Sequence, residues 1–137
     1  MRKTLTIGKL AQAAGVTVQS VRYYEQRGLL PKPARTPSGY RSYAPQSVTR
    51  LRFIKNAQEL GFTLEEIGQL LLLRVDGKAS AETVRQQVQQ KVDQIDTKLF
   101  RLQQMRLALT DLLDQCHGDG TTSECPILDA MTPIGNL

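Results

Sequence analysis

Residues 81–115 form an unbroken stretch of 35 positions with neither glycine nor proline. Its apolar residues recur at Val88, Val92, Ile95, Leu99, Leu102, Leu109 and Leu113, in steps of four, three, four, three, seven and four. The step of seven skips one position of the pattern, and Arg106 occupies it. Alternating steps of three and four mark a coiled-coil seam, narrower than the apolar face of a globular helix. At 1.5 Å per residue such a helix is about 50 Å long. A chain of 137 residues cannot wrap that rod with its own mass. The seam is therefore expected to be buried against a second copy, making the protein a homodimer.

What precedes the rod is basic. Lys and Arg outnumber Asp and Glu by 11 to 2 in residues 1–60, and are outnumbered by 7 to 11 in residues 61–137. A cationic head on a weakly acidic rod suits a polyanion at one end only, and nucleic acid is the expected one. The opening MRKTLTIGKL has two early cations but no apolar stretch behind them, so it does not read as a signal peptide. Apolar runs of the length needed to span a bilayer, about 18 residues, do not occur. The expected location is the cytoplasm, without membrane association, where two cysteines are reduced thiols rather than a disulfide.

Read in order, residues 6–14 predict a short helix capped by Thr6, with Ile7, Leu10 and Ala14 on one face and Gly15 at its end. Thr17 caps a second helix through about Gln26, with Val18, Val21 and Tyr24 inward and Gly28 closing it. Two short helices around a glycine turn make a helix-turn-helix. Gln19, Arg22 and Tyr23 share the outer side of the second helix, where Arg can read guanine or grip phosphate and Gln can read adenine. Residues 30–43, LPKPARTPSGYRSY, hold too many prolines for a helix. Arg35 and Arg41 flank the Pro37-Ser38-Gly39 turn, and Tyr40 and Tyr43 interleave with them. This pattern predicts a β-hairpin wing whose tip meets a phosphate backbone.

The order TIGKLAQAAGVTVQSVRYYEQRGLL, ARTPSGYRSY and VTRLRFIKNAQELGFTLEEIGQLL closely resembles the DNA-binding head of MerR-type transcriptional regulators. The third block reads as two further helices broken at Gly61-Phe62, with Thr63 and Glu66 as a capping box. The resemblance continues through the long helix and the segment after it. It implies a mainly α fold: a winged helix-turn-helix head (1–75), a hinge and dimerisation helix forming an antiparallel coiled coil (76–115), and a metal-binding loop with a short C-terminal helix (116–137). It also implies DNA contacts from Arg22 and Tyr23 on the recognition helix, where Thr17 and Gln19 are expected to contact DNA as well. Backbone contacts would come from Arg35, Tyr40, Arg41 and Tyr43 on the wing. Gly77 is expected to end the helix before the hinge, and Ser80 to cap the long one.

The loop CHGDGTTSEC carries Cys116 and Cys125 at its mouth, and Pro126 starts a helix after it. Paired thiols suit a soft metal ion; the same residues could also be small buried hydrophobes. Resemblance to the metal-sensing branch, whose paired-cysteine loop ends in CPI, implies metal. Two thiolates complete a linear site for Cu(I) or Ag(I), whereas Zn(II), Cd(II) or Pb(II) want three or four ligands. The branch's divalent sensors carry a third cysteine at the start of the long helix, and its copper-type sensors carry serine there. Here the segment is Ala79-Ser80-Ala81. Its local sequence is similar to the copper type. Counting back from Met105, however, places Ala81 at the diagnostic position, and the loop length leans towards the mercury and zinc type. The expectation favours Cu(I) or Ag(I), with a divalent thiophilic ion, aided by His117, Asp119 or Glu124, as the alternative. A regulator of the same fold using the cysteines for redox or organic-ligand sensing is a further alternative. A thiol enzyme or storage protein lacks support, because the chain has a single histidine and no Cys-x-x-Cys. The partners expected are double-stranded promoter DNA and RNA polymerase.

Overall fold

The computed structural model describes residues 4–37 and 39–133. Arg2 and Lys3 of the N-terminal reading, and Ser38 of the expected wing turn, lie outside the described residues. The elements are α1 (Ile7–Ala14), α2 (Val18–Gln26), β1 (Ala34–Arg35), β2 (Arg41–Ser42), α3 (Gln46–Glu59), α4 (Leu64–Asp76), α5 (Ala81–Gln115), a 3-10 turn (Thr122–Glu124) and α6 (Pro126–Met131). The chain divides into two compact units, Met1–Val88 and Gln89–Leu137. The division falls inside α5.

In the first unit each helix starts at a side chain that accepts an otherwise unpaired amide, or stops at a backbone turn. Thr6 Oγ1 accepts the Lys9 amide at 3.3 Å, and Thr17 Oγ1 accepts that of Ser20 at 3.0 Å. Gly15, at φ 72°, ends α1 in a left-handed conformation that an L side chain resists, and Lys55 Nζ sits 3.3 Å from where a Cβ would stand. Thr63 and Glu66 exchange side-chain and backbone hydrogen bonds at 2.8 and 3.2 Å, the expected capping box of α4. Gly77 ends α4.

These helices enclose one core. Leu10, Val21, Leu30, Leu51, Ile54 and Ile67 are fully buried, with Tyr24, Leu29, Tyr43 and Leu71 around them. Each such aliphatic contributes about 1.5–3 kcal/mol of transfer free energy. α1 packs on α2 and α3, and α3 on α4. Arg52 and Lys55 of α3 donate to the Ala13 and Gly15 carbonyls at 2.8 and 2.9 Å, so two cations satisfy the free end of α1.

The wing is a minimal hairpin. β1 and β2 pair antiparallel with Arg35 opposite Arg41 and Ala34 opposite Ser42. Its ends close through the Thr36 amide on the Tyr40 carbonyl at 2.7 Å. The N-terminal residues add a bridge that local sequence does not reveal. Leu5 and Tyr43 exchange backbone hydrogen bonds at 2.8 and 2.9 Å.

Ser80 Oγ accepts the Glu82 amide at 3.1 Å, which caps the start of α5. In the single chain the seam residues from Val88 to Leu113 stand 42–65% exposed. Among the described residues, no helix is long and apolar enough to cross a membrane.

Candidate DNA interface and thiol site

α2 buries Val21, Tyr24 and Glu25 and turns Gln19, Arg22 and Tyr23 outward, Tyr23 being 47% exposed. With Thr17, Ser20 and Gln26 these three line a shallow cleft of about 400 Å³. Thr17 spends its hydroxyl on capping, donating to Ser20 Oγ at 2.9 Å while accepting the Ser20 amide. The hydroxyl thereby fixes the start of the helix. A second cleft of about 390 Å³ runs from α2 to the wing and is lined by Thr6, Ile7, Arg22, Arg35, Gly39, Tyr40 and Arg41. Three guanidinium groups line this one groove, and such a cluster attracts anions. Tyr40 projects beside it, 74% exposed.

Tyr43 differs from its expected role. It is 1% exposed, and its hydroxyl donates to Glu25 Oε1. Local pattern places it on the wing surface, but the bridge to Leu5 turns its ring into the core. It is a strut under the wing, not a surface that DNA can touch. Glu25 receives Arg41 Nη1 on its other oxygen at 2.8 Å, with the Glu25 side chain 6% and the Arg41 side chain 44% exposed. One buried carboxylate thus ties the recognition helix to the wing through both its oxygens. Burial first, then the hydrogen bond to Glu25, pushes the Tyr43 phenol up, against a lowering by Arg41. Burial, with the Tyr23 phenol beside it, does the same to Tyr24. Sequence reasoning missed Glu25. Its signal was present: it follows Val21 by four residues, on the inner face, and is one of two acids in the first 60 residues.

The thiol site lies in the second unit. Cys116 follows the last turn of α5, its amide donating to the Leu113 carbonyl at 3.3 Å. Cys125 precedes α6, its carbonyl accepting the Asp129 amide at 3.1 Å and its amide donating to Thr122 at 3.4 Å. Both are half-buried, reduced thiols. The Leu128 amide foremost, then the Ile127 amide and the Cys116 side chain, hold the Cys125 thiol below its ordinary range, against desolvation and the charge of Asp129. Backbone N–H groups aimed at sulfur stabilise thiolate, the form that binds metal. Thr121 and Ser123 share a hydrogen bond at 2.7 Å inside the loop, while His117, Asp119 and Glu124 are exposed. Among the described residues, no three His, Cys, Asp or Glu side chains converge on one point.

The family profile described as MerR HTH family regulatory protein matches residues 5–73, and that described as MerR, DNA binding matches residues 48–112. The mercuric resistance operon regulatory protein of Bacillus cereus is 41% identical over 125 residues, 91% of this chain and 95% of that protein. The HTH-type transcriptional regulator CueR of Salmonella typhimurium is 34% identical, over 93% of this chain and 92% of its own. A transcription regulator from Ralstonia metallidurans, crystallised in complex with lead(II), superposes with a TM-score of 0.86 at 37% identity, over 93% of this chain and 99% of that one. The profile matches and the near full-length similarity agree with the helix-turn-helix, wing and long helix described above, and the chain belongs to the MerR family of regulatory proteins.

Proposed function

We propose that the chain is a metal-responsive transcriptional regulator that binds double-stranded promoter DNA as a homodimer. The observation that carries the DNA half is the arginine-lined groove between α2 and the wing. Arg22 and Gln19 read base edges; Arg35, Tyr40 and Arg41 grip the backbone. Two heads on one dimer require a palindromic operator. The activity is work on DNA shape: the metal-bound state bends and untwists an overlong promoter spacer so that RNA polymerase engages both promoter elements. A ligand drives this only by preferring one of two protein states. None of the chemistry belongs to an enzyme.

Cys116 and Cys125 hold the ion. Two thiolates, one of them favoured by backbone amides, would satisfy Cu(I) or Ag(I), and such an ion would supply the link between the two ends of the loop. The second reading is Hg(II), which also accepts two sulfurs in line; similarity to the mercuric resistance regulator of Bacillus cereus favours it. Promoter output is titrated with Cu(I), Ag(I), Hg(II), Zn(II), Cd(II), Pb(II) and an oxidant, together with X-ray absorption of the loaded protein. Response to Cu(I) or Ag(I) at the lowest concentration, with two metal–sulfur bonds and no nitrogen or oxygen, is expected. Cys116→Ser and Cys125→Ser then abolish induction and leave operator binding intact. A shell of three or four ligands with Zn(II), Cd(II) or Pb(II) most potent overturns the monovalent assignment. A response to oxidant without metal overturns metal sensing.

A further inference from the structure

The dimer reading leaves one residue unexplained. Arg106 occupies a seam position of α5, between Leu102 and Leu109 in the apolar row. Among the described residues, neither Arg106 nor Asp96 has an ion pair or a side-chain hydrogen bond within the chain. A guanidinium carried into an apolar seam is destabilising unless it is paired there.

The seam divides into two heptad rows, Val92, Leu99, Arg106 and Leu113 at the a positions, and Val88, Ile95, Leu102 and Leu109 at the d positions. A parallel dimer sets a against a, and so Arg106 against Arg106, like charge on like charge. An antiparallel dimer sets a against d. One antiparallel register pairs every seam position: Val88 with Leu113, Val92 with Leu109, Leu99 with Leu102, and Ile95 with Arg106. Sliding by one heptad one way sets Leu109 against Arg85; sliding the other way leaves Val88 and Val92 facing chain beyond Gln115, where α5 ends.

In the complete register Arg106 comes level with Ile95 of the second copy. The next residue there, Asp96, is at an e position, on the flank that a side chains border in an antiparallel pair. That flank carries Gln89, Asp96, Gln103 and Thr110, of which only Asp96 is charged. Lys91 and Lys98 are at g positions, on the other flank. We propose that Arg106 pairs with Asp96 of the second copy, twice per dimer by symmetry, and that this pair fixes the antiparallel register of α5. The proposal rests on the dimer reading and supplies what that reading lacks, a feature that rejects parallel and shifted alternatives.

The test is charge exchange in the full chain, read by sedimentation over a range of concentrations. Asp96→Arg and Arg106→Asp each raise the dimer dissociation constant about tenfold or more, and the two together restore it to within a few-fold of the original. Circular dichroism follows helix content; helix lost in a single variant and regained in the double counts as restoration. If the double variant dissociates as readily as either single one, the pair is wrong and the dimer stands. If the unaltered chain sediments as a monomer throughout, the dimer reading fails and takes the pair with it.

Discussion

Tyr43→Phe isolates the junction between recognition helix and wing. The substitution keeps the ring in its buried place and removes only the hydroxyl that donates to Glu25. Losing a hydrogen bond to a charged acceptor is worth about 1.5–3 kcal/mol, and Glu25 keeps Arg41 as a partner, so about 2 kcal/mol is expected. The Arg41 side of the junction contributes less to stability. Its side chain is 44% exposed, and solvent screens such a pair to about 0–1 kcal/mol. Urea denaturation at one fixed chain concentration reads both, because a dimer's stability depends on concentration. The midpoint for Tyr43→Phe falls by on the order of 1 M. Alkaline pH gives an independent check. The folded phenol is held above its unfolded pKa of 10.0, by burial and then by Glu25. Its stabilisation is therefore complete below that value and lost as pH rises through the folded pKa. The gap between the two proteins narrows above that point. A Tyr43→Phe protein within about 0.5 kcal/mol of the original near neutral pH, a typical surface effect, would refute the idea that Glu25 depends on this hydroxyl.

Arg22→Ala weakens operator binding by about 1–3 kcal/mol and relaxes sequence preference in gel-shift selection; equal loss on random DNA makes Arg22 a phosphate clamp. Arg41→Ala lowers affinity on all sequences and reduces the salt slope of binding by about one, and an unchanged slope removes Arg41 from the DNA contact. Metal affinity falls as pH drops through the depressed pKa of Cys125, below the ordinary thiol value, because the ion must displace a proton. In Cys125→Ser that branch of the pH profile disappears, and its persistence assigns it to another group.

Much of this architecture is legible because its signals are local. Thr6, Thr17 and Thr63 announce helix starts through hydrogen bonds that span three residues, and prolines from 31 to 37 bar a helix by themselves. The outward set Gln19, Arg22 and Tyr23 follows from helical spacing alone. Tyr40 and Tyr43 show the limit. Each is an aromatic next to a wing arginine, yet one is 74% and the other 1% exposed. What separates them is the backbone of Leu5, distant in sequence, which pairs with Tyr43 and draws it inward. Glu25 is the opposite case, a signal present but unread: an acid on the inner face of a helix requires a partner.

The seam and the thiols bear on each other through ligand count. In the proposed register Val88 of one copy faces Leu113 of the other, so the end of each α5 lies beside the start of its neighbour. Cys116 then comes level with the turn around Arg85. Residues 79–85 read Ala, Ser, Ala, Glu, Thr, Val and Arg, and offer no sulfur. The Ser80 hydroxyl oxygen already accepts the Glu82 amide, and the Glu82 carboxylate stands 3.9 Å from Arg85. In that register a second copy would bring oxygen and charge to the cysteine loop, but no thiol. An ion that requires a third soft ligand gains nothing from dimerisation here, whereas one content with two sulfurs loses nothing. If that register holds, the start of α5, more than the length of the cysteine loop, would decide which soft ion the site accepts.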